Sequence, residues 1–132
     1  MPLSSHPYLL NTALIYGSIF PTLTGLRLLQ NPTFGFDLLG FTPPTNDPAT
    51  QKLSESLFMF RGARDLALGI SAFLAWRSGN RFMLGCMLLV GGGLTVVDGL
   101  IHWRQEGSGM WKHWIFSPWG VGIGGGLLGW FD

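Results

Sequence analysis

Apolar residues in this chain come in long unbroken blocks and do not alternate with polar ones. The first block runs from about Tyr8 to Leu29 and holds no charge before Arg27. Three more follow, at about Leu53 to Trp76, Phe82 to Trp103 and His113 to Phe131. Each approaches or exceeds the roughly 20 apolar residues that span a bilayer. The pattern predicts a single all-α domain, an integral membrane four-helix bundle with helices at 8–29, 53–76, 82–103 and 113–131. Pro21 lies inside the first helix and predicts a kink, which lipid tolerates when neighbouring groups satisfy the freed carbonyl. The stretch from Gln30 to Lys52 is rich in Pro, Asn and Thr and reads as a long loop, of the kind that often forms a lid or binding surface. Within it, Phe34 to Leu39 is apolar enough to lie on the interface. The short polar turn from Arg77 to Arg81 makes the second and third helices antiparallel neighbours.

Composition agrees with this pattern. Charged residues make up 11% of the chain, against about 25% in soluble domains, so a water-facing surface could not be covered. The six tryptophans cluster at predicted helix ends, as an aromatic belt does. The glycine triplets at 91–93 and 124–126 fall mid-helix and are expected to meet backbone to backbone. The same glycine stripes would serve contacts between copies in a homo-oligomer. A net charge of +1 with no basic stripe excludes a nucleic-acid partner. Cys86 has no internal disulfide partner and reads as a small buried hydrophobe. Met1 to Leu10 carries no Lys or Arg, so no signal peptide is expected. The first segment should then stay as an anchor, with the endoplasmic reticulum membrane as the default location. Arg77 and Arg81 on one face and Arg27, Lys52, Arg104 and Lys112 on the other leave the orientation open.

The polar residues inside the spans all fall toward one face. Arg61, Arg64 and Asp65 stand at i, i+3 and i+4 on the second helix. Asp98 and His102 repeat the i, i+4 spacing on the third helix, and His113 opens the fourth. An ionised group facing lipid costs at least ~2.5–3.5 kcal/mol near the bilayer centre. These faces should therefore turn inward around a shared polar pocket near one membrane face.

Two readings follow. In one, Arg61, Arg64, Asp65 and Asp98 are structural ion pairs that set helix order in a non-catalytic membrane subunit or small carrier. In the other they line a pocket that binds a lipophilic small molecule. There Asp98 with His102 or His113 would move a proton, with Asp98 orienting the imidazole of His102, while Arg61, Arg64 and Asp65 hold the substrate. Trp103 and Trp114 beside the histidines would wall its apolar part. The residues contain no nucleophile motif or phosphate-binding loop. His102 and His113 stand at no recognised zinc spacing, so neither metal nor other cofactor is expected.

The run Gly62-Ala63-Arg64-Asp65-Leu66-Ala67-Leu68-Gly69, the pair Asp98-Gly99 and the pair His113-Trp114 resemble a family of small fungal membrane proteins. That family is grouped as domain of unknown function 4267, and it resembles more loosely the four-helix DoxX-like proteins. The resemblance covers most of the chain from about Leu10 onward. It implies a four-helix membrane protein and, because fungal members are sometimes encoded among natural-product biosynthesis enzymes, an isomerase or cyclase acting on a lipophilic intermediate. Arg64, Asp98 and His113 are the positions that match.

Overall fold

The first apolar block folds as one helix, α1 (Pro7–Gln30), in the computed structural model, which describes residues 2–132. Its start is set by His6, whose ring accepts from the Tyr8 amide, and by Pro7, which needs no partner for a missing N–H. A π turn occupies Ile15–Ile19. Pro21 leaves the Gly17 carbonyl, four residues earlier, without its donor, and the wider turn accommodates that loss. The irregularity expected at Pro21 thus falls one turn before it.

The stretch expected to be a loop is largely ordered. A short helix, α2 (Phe34–Leu39), fills its middle and stops at Gly40, whose φ of 74° ends the turn. Next, α3 (Pro48–Arg77) begins five residues before the predicted Leu53. Asp47 explains the early start, since its carboxylate accepts from the Ala49 amide at 3.0 Å and from the Thr50 hydroxyl. The apolar count missed this turn because a capped first turn has no need of apolar residues. Asn80 caps α4 (Arg81–Glu106) in the same way, accepting from the Met83 amide at 3.0 Å.

The fourth segment departs most from expectation. It is split into α5 (Trp111–Trp114) and α6 (Ser117–Leu127), and Trp130 and Phe131 lie beyond it. Pro118 supplies no N–H to the Trp114 carbonyl, so the helix restarts there. With 11 residues, α6 rises about 16 Å, roughly half of a ~30 Å hydrocarbon core.

Glycines set the packing. α1 lies along α3, where a Cβ on Gly25 would come 2.6 Å from the Gly62 carbonyl oxygen and one on Gly62 would come 2.9 Å from that of Gly25. α4 lies along α6 in the same manner: a Cβ on Gly124 would sit 2.9 Å from the Gly85 carbonyl oxygen, and one on Gly120 would sit 2.9 Å from the Gly92 Cα. The two triplets therefore do not face each other as triplets. The antiparallel register matches Gly92 with Gly120 and Gly85 with Gly124, while Gly91 and Gly93 look onto open space.

Two apolar clusters hold the ends together. Ala13, Ala72, Leu84, Leu88, Ile123 and Leu127 form one, near which Ser4 donates from its amide to the Asp132 carboxylate at 3.1 Å. Leu28, Phe36, Leu39 and Phe58 form the other, with Phe36 edge-on to Phe58 at 4.8 Å. The outward faces are apolar as well, with Leu23, Phe60, Leu74 and Val90 exposed. Two helices, α1 and α4, are long and apolar enough to cross a membrane. Only 17% and 33% of their apolar windows are buried, whereas the core helix of a soluble protein is mostly covered. Cys86 is half-buried and free, so it is less enclosed than a core residue.

Candidate functional site

Between the two apolar clusters, the i, i+3, i+4 stripe of α3 faces Asp98 of α4. Arg61 Nη1 lies 2.9 Å from Asp98 Oδ2. Arg64 grips the same carboxylate with both terminal nitrogens, at 3.4 and 3.2 Å, and donates from Nε to Asp65 at 3.1 Å. Arg61 also faces Asp65 at 3.6 Å. Two cations and two anions close on one another, with the Asp98 side chain 9% exposed at the centre. Because α3 starts at Pro48, this network sits near the middle of that helix, deeper than its predicted start implied. Relative to α1 it lies near one end, since Gly62 packs on Gly25.

The histidines form a separate pair. The rings of His102 and His113 are 5.2 Å apart, and Phe41 covers His102 on another side at 4.8 Å. Gly109 backs the His102 ring so closely that a Cβ there would come 2.6 Å from Nε2. The expected orientation of His102 by Asp98 is not what the structure has. Both Asp98 oxygens are taken by arginines, and His102 Nδ1 is buried without a partner. His113 Nε2 and Arg61 Nε are in the same state. A buried polar atom left unpaired costs about 1–3 kcal/mol, which a bound molecule with a matching donor or acceptor recovers.

A cavity of about 180 Å³ adjoins this cluster, larger than the ~150 Å³ that admits a benzene ring. Arg61, Arg64, Asp65, Asp98 and His113 contribute to one end of its wall, and Met87, Leu88 and Gly17 to the other. Leu38 and Leu39 of α2 also line it. His102 is not part of the wall and stands behind His113. Trp103 and Trp114 are not part of it either. Trp103 is 52% exposed, and Trp114 donates from its indole to the Val96 carbonyl at 3.2 Å.

Among the lining residues that were not foreseen, Tyr16 and Lys112 carry polar groups. Tyr16 sends its hydroxyl to the Phe116 carbonyl, which also accepts from the Gly120 amide at 3.2 Å in the first turn of α6. Tyr16, Phe20 and Thr24 follow one another at i+4 spacing, a signal that was available in the sequence. Lys112 turns back over Gly40, where a Cβ would lie 2.7 Å from its Nζ. A Gly40→Ala chain is expected to lose about 1–2 kcal/mol from the left-handed backbone. Gly107→Ala, with a φ of 71° but nothing within 4 Å, isolates the backbone part. Thermal unfolding in detergent should show drops of similar size for the two, since the flexible end of Lys112 can swing aside; an unchanged midpoint for Gly40→Ala would mean that this backbone is not left-handed.

These features define an all-helical protein with two helices of membrane-crossing length and a charged cluster beside an interhelical cavity. The chain belongs to the family described as Domain of unknown function (DUF4267), whose profile matches residues 18–127. The match takes in the Gly62–Gly69 run, Asp98 and His113. No curated protein and no solved structure matches the chain.

Proposed function

We propose that this is an integral membrane enzyme. In this reading α1, α3, α4 and the α5–α6 limb form a four-helix bundle whose cavity holds a lipophilic small molecule. His113 moves a proton on that molecule, in an isomerisation or a cyclisation. The observation that carries the reading is that His113 lines the cavity while its Nε2 is buried without a hydrogen-bond partner. Every carboxylate beside it is already engaged by arginine, so the imidazole is the group left to accept a proton from a carbon acid. Arg61, whose Nε makes no hydrogen bond, and Lys112 would stabilise the oxyanion that forms as the C–H bond breaks. The same proton would then return from His113 to another carbon of the substrate. Asp98 keeps both guanidinium groups in place, and His102 positions the His113 ring from behind.

The self-satisfied pairing of two arginines with two aspartates favours a second reading, in which the network is structural and the protein is a non-catalytic membrane subunit or carrier. Untargeted metabolite profiling separates the two, in host cells carrying the parent gene, no gene, or the His113→Ala gene. An accumulating precursor and a missing isomer or cyclised product are expected in both altered strains. A profile unchanged by deletion, with expression of the parent gene verified, would overturn the enzyme reading.

A further inference from the structure

The two ends of the cavity differ in charge. Its wall carries three cations, Arg61, Arg64 and Lys112, and two anions, Asp65 and Asp98. The arginines are matched by the aspartates, whereas no carboxylate lies within ion-pair distance of Lys112 among the described residues. Arg61 Nε makes no hydrogen bond, with Asp65 standing 3.6 Å away. A cation entering here would be repelled by Lys112, and a neutral head would gain nothing from it. An anion complements the Lys112 charge and the Arg61 N–H.

Along α4 the wall turns apolar. Leu94, Gly91 and Leu88 follow Asp98 toward the other end, joined there by Met87, Ala72 and Gly17. From Asp98 to Gly91 the helix rises about 10 Å. Gly91 lines the cavity, and a Cβ built on it meets nothing within 4 Å. The absent side chain therefore leaves room for a ligand's apolar body.

Resting on the reading of the cavity as a ligand site, we infer that it takes an amphipathic anion. The acidic oxygen group lies against Lys112 and Arg61, and the apolar tail runs along α4 past Gly91. Gly91 then gauges tail length. Its neighbour Gly93 supplies a control, since it too looks onto open space but does not line the cavity.

The full chain, purified in detergent and titrated by native mass spectrometry, tests this with dodecanoate, hexanoate and dodecyltrimethylammonium. Dodecanoate should bind the parent and Gly93→Leu proteins one to one. Gly91→Leu should weaken it by at least roughly tenfold, through lost burial of several methylenes, and leave hexanoate unchanged. Lys112→Gln should weaken both acids by roughly tenfold, as loss of a charge-assisted hydrogen bond does. Dodecyl phosphate binding more tightly than dodecanoate would point to a lipid headgroup as the source, and the reverse to a free acid; either supports an amphipathic anion. Equal binding of dodecyltrimethylammonium, or dodecanoate binding indifferent to Gly91→Leu, would overturn the inference. A metabolite profile that responds to His113→Ala while dodecanoate fails to bind would overturn this ligand class and leave the enzyme reading standing.

Discussion

An Asp98→Ala chain is expected to lose about 3–5 kcal/mol of stability, because breaking a buried ion pair strands the partner charge. Here one carboxylate holds two guanidinium groups, at 2.9 and 3.2 Å. Asp65 is left to neutralise both, and it reaches Arg61 only at 3.6 Å. Folded yield in detergent and the midpoint of denaturation measure the loss. Adding Arg61→Met to Asp98→Ala should restore much of it, since one cation then faces one anion, and replacing such groups by apolar side chains is often neutral or better. An Asp98→Ala protein as stable as the parent would show that this carboxylate does not organise the cluster.

Gly25→Leu should be comparably damaging for a steric reason. The atoms nearest a new Cβ are the Gly62 carbonyl oxygen at 2.6 Å and the Leu66 amide nitrogen at 2.7 Å. Both belong to the α3 backbone and cannot swing aside as a side chain would. Overpacking a core usually costs about 1–3 kcal/mol, and an obstruction made of backbone belongs at or above the top of that range. Denaturation in detergent should therefore show α1 and α3 parting, while Gly93→Leu, with nothing within 4 Å, leaves the midpoint unchanged or higher. Equal tolerance at both glycines would mean that α1 and α3 do not meet at this contact.

The legible parts of the fold were those governed by periodicity. Uninterrupted apolar residues placed α1 and α4 to within a few residues, and i, i+3, i+4 spacing placed Arg61, Arg64 and Asp65 on one face toward Asp98. The start of α3 was illegible to an apolar count because it depends on the Asp47 cap and Pro48. The break at Pro118 was not read from the sequence, because an apolar count runs straight through it. In the site, the pairing of His102 with His113 depends on α5 doubling back, which spacing along the chain does not encode. Lys112 entered the sequence reading only as one of the charges that bear on orientation, and only the fold turns it over Gly40. The glycine contacts were expected in kind and missed in register, because composition says that helices can touch without saying which residues meet.

The bond between Ser4 and Asp132 carries a topological constraint. It brings the turn before α1 beside the residues that follow α6, so the α5–α6 limb returns the chain to the level at which α1 begins, although its last helix has only 11 residues. The two ends thus act as a clasp, and a change at either one is felt by the other.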